Sequence, residues 1–332
     1  MRPPAHLVVT ACLLAACSTH LTRRIAASGD SPTVVAAPTP ARVRGTALSR
    51  FGGLVVPPGA GEPLTYCERP LMLTLKVDSA VAPTTRLLAG TGALRGNEGV
   101  GRHRSADEVL YVVRGWGYAV LGADTVPLGP GSVAYVPPGV AHRLVSRGPA
   151  PLEYFFVLGP ASSAEGFRRA AAAGCPDRAA ATAAPAADAA SSVPQPPTAD
   201  RRAVSFEPGT GERVSYCPFP LVITTKVDSA SAPGTRLTAA VGSLRRGAEV
   251  GTHAGRDEVV YVTYGRGRAF IGTDTAAVET GSVTYVPQGT LHGFVNDGEG
   301  TLEYVVVYGG GVSPTGFRRL AARPGAYCPR AQ

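Results

Sequence analysis

The chain repeats itself at a fixed offset of 150 residues, and this constrains its fold more than any other feature. The segment KVDSA occurs at residues 76–80 and again at 226–230, and GFRR occurs at 166–169 and again at 316–319. Two shorter matches, TRL and GSV, keep the same offset at 85–87 and 131–133. The repeat therefore predicts two copies of one domain in tandem.

Within each copy, short segments rich in β-branched residues alternate with Gly and Pro turns, as in LMLTLKV, GSVAYVP and LEYFFVLG. Such spacing is typical of an antiparallel sandwich or barrel. We therefore predict an all-β fold of two tandem sandwiches or barrels. VRGWGYA and TYGRGRA are interpreted as hairpin turns. GFRR lies in a predicted amphipathic helix that closes each barrel.

The N-terminal segment MRPPAHLVVTACLLAAC has the form of a targeting signal, with an apolar stretch too short to span a bilayer. Its end, LAAC, resembles the bacterial lipobox. That resemblance implies a signal peptide over residues 1–16, lipidation of Cys17, and a lipid anchor to a membrane of the bacterial cell envelope. A plain secretory signal is the alternative, and it too leads out of the cytoplasm.

Composition defines the remaining boundaries. Residues 17–49, rich in Ala, Thr, Pro and Arg, are predicted to be a flexible tether, and residues 176–200, rich in Ala and Pro, a linker. The two domains then span 50–175 and 201–332. The net charge of +8 comes from scattered Arg without a basic run that interleaves aromatics, so we do not expect nucleic acid as a partner.

Four cysteines lie within or beside the predicted domains, in an exported chain where disulfides persist. Their contexts repeat, TYCERPL with SYCPFPL and GCPDR with YCPR. The simplest of the three possible pairings joins Cys67 to Cys175 and Cys217 to Cys328. A zinc site is the alternative, but the spacing contains no C-x-x-C pair.

Each copy also contains a His, a Glu five residues later, and a second His after a Pro-x-Gly turn. These residues are His103, Glu108 and His142, and then His253, Glu258 and His292. Two imidazoles and one carboxylate are good ligands for a divalent transition metal. The chain has six histidines. Apart from His6 in the signal and His20 in the tether, all fall at these positions.

These segments resemble the two motifs of the cupin family, and the whole chain resembles a bicupin, which implies two tandem jelly-roll β-barrels. The motif G-x5-P-x-G-x2-H-x3-N is matched in full by Gly281, Pro287, Gly289, His292 and Asn296. The first copy has Ser146 in place of the Asn. The other motif, H-x-H-x4-E-x6-G, departs from the family pattern in both copies, because Gly101 and Gly251 occupy the first His position.

The resemblance implies a cofactor, a divalent transition metal such as Mn, Fe, Ni or Zn, bound by a 2-His-1-Glu site in one or both barrels. The two glycines would leave room beside the metal for water, substrate or oxygen. The implied activity is that of a dioxygenase, decarboxylase or isomerase on a small oxygenated molecule. The alternative is a non-catalytic envelope module that binds a sugar or another small ligand.

The remaining polar residues that the two copies share are predicted to have structural rather than catalytic roles. Lys76 with Asp78, and Lys226 with Asp228, alternate along a strand and are predicted to form surface ion pairs. Arg86 and Arg236 are expected to be solvated rather than to bind a carboxylate. Tyr111 and Tyr261 should face away from the site, since they have the opposite strand parity to the Glu. If only one barrel is active, Asn296 favours the second.

Overall fold

The computed structural model describes residues 46–48, 52–66, 71–96, 99, 103–160, 163–173, 202–216 and 221–310. The signal, the linker, the four domain cysteines and Cys17 lie outside these residues, so the disulfide and lipidation predictions stay predictions. No helix in the described part of the chain is long and apolar enough to span a membrane.

Up to residue 173, the chain forms eleven strands and one helix. They are β1 (Thr46–Leu48), β2 (Gly53–Val56), β3 (Glu62–Tyr66), β4 (Leu71–Val77), β5 (Leu88–Leu94), β6 (Asp107–Arg114), β7 (Trp116–Leu121), β8 (Asp124–Leu128), β9 (Val133–Val136), β10 (His142–Arg147), β11 (Leu152–Gly159) and α1 (Glu165–Ala173). β1 falls at the end of the predicted tether, where it pairs with β2.

From residue 202 onward, eleven further strands follow. They are β12 (Val204–Phe206), β13 (Glu212–Tyr216), β14 (Leu221–Val227), β15 (Leu237–Leu244), β16 (Glu249–His253), β17 (Glu258–Tyr264), β18 (Arg266–Ile271), β19 (Asp274–Glu279), β20 (Val283–Val286), β21 (His292–Val295) and β22 (Leu302–Gly309).

Each repeat folds into a large sheet and a small sheet. In the first domain the large sheet has the order β12-β9-β6-β11-β5-β4-β3 and the small one β10-β7-β8. In the second domain the orders are β1-β2-β20-β17-β22-β15-β14-β13 and β16-β21-β18-β19. The sheets remain separate, so each domain is a jelly-roll sandwich rather than a continuously bonded barrel. The all-β, jelly-roll prediction is confirmed.

The two domains exchange their leading strands. β2 precedes the first repeat in sequence but pairs with β20 of the second domain, with Leu54 opposite Tyr285. β12 makes the equivalent addition to β9 of the first domain, with Val204 opposite Tyr135. The first strands of each predicted domain therefore complete the sheet of the other one.

The large sheets of the two domains pack face to face on a shared apolar core. Phe155 of the first domain stacks on Tyr261 of the second, with ring centroids 4.8 Å apart and planes 13° apart. Two further cores fill the spaces between the large and small sheets, one in each domain. Tyr111 and Tyr261 contact the shared core, which confirms that they face away from the sandwich interiors.

The two segments interpreted as hairpin turns are corners between sheets. β6 and β7 flank Gly115 but lie in different sheets, as do β17 and β18 around Gly265. Both glycines have positive φ, 81° and 87°. A β carbon on Gly115 would lie 2.1 Å from the Pro151 carbonyl oxygen. The hairpin prediction is wrong because the chain crosses here from one layer of the sandwich to the other.

The predicted surface ion pairs are also wrong, because these side chains are buried and bind other groups. Lys76 donates from Nζ to the Pro57 carbonyl, 3.1 Å away. Asp78 accepts from two backbone amides of the following turn and pairs with Arg168 of α1. Lys226 and Asp228 make the matching turn contacts in the second domain. A β-bulge at this end of β4 and β14 accompanies the change of direction.

The helix prediction is confirmed in the first repeat. α1 packs Phe167 against the interior core, with its ring 5.9 Å from that of Phe156. Its copy around residue 316 lies outside the described residues.

Candidate metal centres

Each predicted triad comes together between the two sheets of its sandwich. In the second domain, His253 ends β16 and pairs with His292 at the start of β21, both in the small sheet. Glu258, at the start of β17, reaches them from the large sheet. In the first domain, His103 and His142 form an isolated bridge with two backbone hydrogen bonds, and Glu108 lies on β6. The predicted ligands therefore converge from opposite layers rather than within one hairpin.

The spacing within the two triads is nearly the same. His142 Nε2 lies 3.0 Å from Glu108 Oε2, and His292 Nε2 lies 3.0 Å from Glu258 Oε2. The imidazole centroids of each His pair are 4.2 Å apart. Each triad offers three ligand atoms that all lie within 4.8 Å of one another. The Glu and the second His are buried in both domains, whereas His103 and His253 are half-buried.

The histidine tautomers direct lone pairs at the centre of each triad. His142 Nδ1 lies 3.0 Å from the Val140 carbonyl, and His292 Nδ1 lies 2.8 Å from the Thr290 carbonyl. Since a carbonyl only accepts, Nδ1 holds a proton and Nε2 faces the Glu, to which it presents a lone pair when the ring is neutral. Such an orienting hydrogen bond is usual for metal-binding histidines.

The first triad contains two buried atoms without a hydrogen-bond partner in the described part of the chain, Glu108 Oε2 and His142 Nε2. Their contact is short but lacks the direction of a hydrogen bond. Two buried lone pairs at this distance need a proton or a cation between them. The donor set of two imidazoles and one carboxylate therefore fits a divalent transition metal.

The pKa shifts of the triad residues favour positive charge at the centre of each triad. Burial alone would lower the pKa of His142, but the facing Glu108 carboxylate outweighs it and the net pKa is raised. Burial would likewise raise the pKa of Glu108, and the charges of His142 and His103, with a hydrogen bond from Ser105, lower it to about 2. The pKa of His292 is raised in the same way by Glu258 against burial.

The glycine at the missing-ligand position leaves open space in the second domain. A β carbon on Gly251 would have no atom within 4 Å. Its carbonyl accepts a hydrogen bond from His253 Nδ1 at 2.9 Å, so this residue still orients a ligand. Gly101 lies outside the described residues.

Sequence reasoning missed the Asp that precedes each Glu ligand. Asp107 is fully buried, accepts a hydrogen bond from Tyr135 at 2.6 Å, and pairs with Arg236 of the other domain. Asp257 binds the Gln288 amide and the Tyr285 hydroxyl. The DE pair shared by both copies was the available signal. The prediction that Arg236 is solvated is therefore wrong.

Sequence reasoning also missed Tyr308, which pairs directly with Glu258 across β22 and β17. Burial first, and then the Glu258 charge, raise its pKa well above the ordinary value, so the phenol remains protonated and can donate a hydrogen bond.

Asn296, by contrast, binds backbone groups of Leu244 and Gly300 and shapes a loop.

Both triads lie in segments of the chain that match a model of a known protein family. Residues 93–158 and 242–308 each match the family model of the cupin domain. A search of the curated proteins found no match.

Solved structures with the same fold come from several kinds of protein. Oxalate decarboxylase from Bacillus subtilis is 16% identical over 83% of this chain and 81% of its own, with a TM-score of 0.58. A putative glyoxylate-induced protein from Pseudomonas aeruginosa is 15% identical over 80% and 91%, with a TM-score of 0.58. The coconut allergen cocosin is 16% identical over 79% and 86%, with a TM-score of 0.59.

An enzyme and an allergen thus share this architecture, and likeness at such identity shows the fold alone. The family matches cover both triads, and the folds of the two domains agree with them. The chain therefore contains two tandem cupin domains, one for each family match.

Proposed function

We propose that this bicupin binds a divalent transition metal at one or both triads and acts there on a small oxygenated molecule, in the manner of a dioxygenase or decarboxylase. The observation that supports the proposal is the buried contact of Glu108 Oε2 with His142 Nε2, 3.0 Å apart, in which neither atom has a hydrogen-bond partner in the described part of the chain. A protein interior rarely leaves two such atoms facing each other without a ligand.

The chain's own groups would hold the metal and exclude water around it. One ring nitrogen of each histidine and one Glu oxygen would supply three ligands in each domain. Backbone carbonyls fix the imidazole orientation of His142, His253 and His292. A bound Mn, Fe, Ni or Zn ion would supply Lewis-acid polarisation of a substrate oxygen. Apolar residues of the sandwich interior surround each triad and keep the local dielectric low.

Metal content tests the first part of the proposal. The chain from Ser18 onward, without a His tag, should contain about two metal ions by plasma mass spectrometry, one for each triad. His103→Ala/His142→Ala should remove one, and His253→Ala/His292→Ala the other. A parent that stays metal-free after reconstitution would contradict the proposal.

Turnover tests the second part. Small hydroxy- and dicarboxylates, incubated with the metal-loaded chain, should give oxygen uptake or carbon dioxide release that both double variants reduce. A loaded protein that binds such molecules without turnover would instead support the binding-module alternative.

We also propose that the chain is exported and anchored to the envelope through Cys17. The support is the LAAC segment after an apolar stretch. Labelled palmitate should be incorporated into the full chain expressed in bacteria and not into Cys17→Ala. Equal labelling of the two would contradict the anchor.

A further inference from the structure

The two metal centres differ in a row of side chains that crosses the large sheet beside the Glu ligand. In the second domain, Glu258, Tyr308 and Thr238 lie opposite one another on β17, β22 and β15. In the first domain the same row consists of Glu108, Leu158 and Leu88. Both rows begin with the Glu, and the two leucines that follow it in the first domain are replaced by a Tyr and a Thr in the second.

A third exchange lies on the next strand. Leu75 of β4 belongs to the interior core of the first domain, together with Leu88 and Leu158. Its counterpart, Thr225 of β14, follows the core residue Ile223 at the interval that returns to the same face. Three leucines in one interior thus correspond to three hydroxyls in the other.

These hydroxyls are inside the sandwich. The exposed fraction is 0% for Thr238 and 5% for Thr225, and Tyr308 packs against the second interior core. A hydroxyl in an apolar interior costs free energy unless it is hydrogen-bonded, and leucine at the same position costs none. A hydroxyl has one donor and two acceptor sites, so contacts within the protein still leave capacity for a ligand.

Two side chains of the second centre are partly exposed to solvent. His253 and Tyr308 are half-buried, whereas Glu258 and His292 are buried. Gly251 beside them leaves open space. In the first centre, buried Leu158 stands where Tyr308 stands in the second. A ligand entering the second centre would therefore meet a phenol hydroxyl on the strand that pairs with that of Glu258.

The net charge of the metal and its three protein ligands indicates which class of molecule the second centre would bind. Two neutral imidazoles, one carboxylate and a divalent ion leave one positive charge, which a monoanion balances. The neighbouring hydroxyls suit further ligand oxygens. We propose that the second centre, rather than the first, binds the substrate, and that this is a small hydroxycarboxylate held by the metal and by Tyr308 and Thr238. This inference rests on the proposed function.

Binding of glycolate to Co²⁺-loaded protein tests it without any activity. Proteins with a single centre come from His103→Ala/His142→Ala, which retains the second, and His253→Ala/His292→Ala, which retains the first. Glycolate entry is followed through the visible Co²⁺ spectrum. We expect the second centre to bind glycolate at least about tenfold more tightly than the first, given one or two extra hydrogen bonds.

Matched variants then isolate the hydroxyls. In the protein that retains the second centre, Tyr308→Phe and Thr238→Val should each weaken glycolate binding, the former by about tenfold, with Co²⁺ affinity unchanged. Tyr261→Phe, on the same strand as Glu258 but facing the shared core, is the control and should change neither quantity.

The outcomes separate the inference from the proposed function. Equal glycolate binding by the two centres, no glycolate binding at all, or no effect of either hydroxyl variant would overturn the inference and leave metal binding intact. Failure of both single-centre proteins to bind Co²⁺ would overturn the proposed function, and the inference with it.

Discussion

Arg236 of the second domain lies 2.7 Å from the fully buried Asp107 of the first, measured between Nε and Oδ2. Asp107 directly precedes the candidate ligand Glu108, so a residue of one domain contacts the strand that carries a candidate ligand in the other. The matching arginine of the first repeat, Arg86, is exposed. The two domains are therefore not equivalent in how they support each other's centres.

We expect Arg236→Ala to lower the free energy of unfolding by about 1–3 kcal/mol. The substitution leaves a buried carboxylate with Tyr135 as its remaining side-chain partner, and the estimate is discounted because the Arg236 side chain is 32% exposed. Urea unfolding measures the change. Arg86→Ala is the control, with an expected change within about 0.5 kcal/mol. Equal effects of the two variants would show that the pair does not stabilise the chain.

Metal loading should raise the melting temperature. A ligand that binds only the folded state at about 100 times its dissociation constant adds about 2.7 kcal/mol, or about 5–10 °C for a protein of this size. Differential scanning fluorimetry with Co²⁺ measures the shift, and a chelator should reverse it. The variant His142→Ala/His292→Ala removes one ligand from each triad and should show little shift. A full shift in this variant would place the ion elsewhere.

Much of the site could be predicted because its determinants are local in sequence. The offset of 150 residues and the His, Glu and Pro-x-Gly-x-x-His spacing are enough to select the six candidate ligands and a two-domain β fold. Tyr308 could not be found this way, because its relation to Glu258 depends on the pairing of β22 with β17. That register brings together residues 50 positions apart.

The contacts between domains were beyond prediction for the same reason. Neither the exchange of β2 and β12 nor the pairing of Arg236 with Asp107 has a local pattern, since both depend on how the large sheets face each other. The prediction of a surface ion pair for Lys76 was wrong because alternation along a strand predicts which residues share a face, but it does not predict a β-bulge at the end of the strand. Its burial follows from a turn carbonyl that lies 19 residues earlier.

Burial of Lys76 makes stability depend on pH above neutrality. Burial lowers the pKa of Lys76 from 10.5 to about 8. At pH 9 the folded chain has therefore lost most of this proton, while the unfolded chain keeps it. Unfolding takes up a proton, so the free energy of unfolding contributed by this group rises between about pH 8 and 10.

Urea unfolding at pH 7.5 and 9.5 measures this dependence. The gain at the higher pH should be about 1 kcal/mol larger in the parent than in Lys76→Met, which keeps the volume but cannot titrate. Parallel pH profiles of the two proteins would contradict the prediction.

Gly115, at the corner between β6 and β7, should be harder to replace than a glycine that has a similar φ but open space around it. Alanine there must adopt a φ of 81° and place its β carbon 2.1 Å from the Pro151 carbonyl oxygen. Conformational strain and overpacking together should cost about 2–5 kcal/mol. Gly59→Ala is the control, since Gly59 has a similar φ of 73° but no atom within 4 Å of the added carbon. It should cost about 1 kcal/mol, from the conformation alone. If urea unfolding gave the same loss for both, the close approach at the corner would not restrict this position.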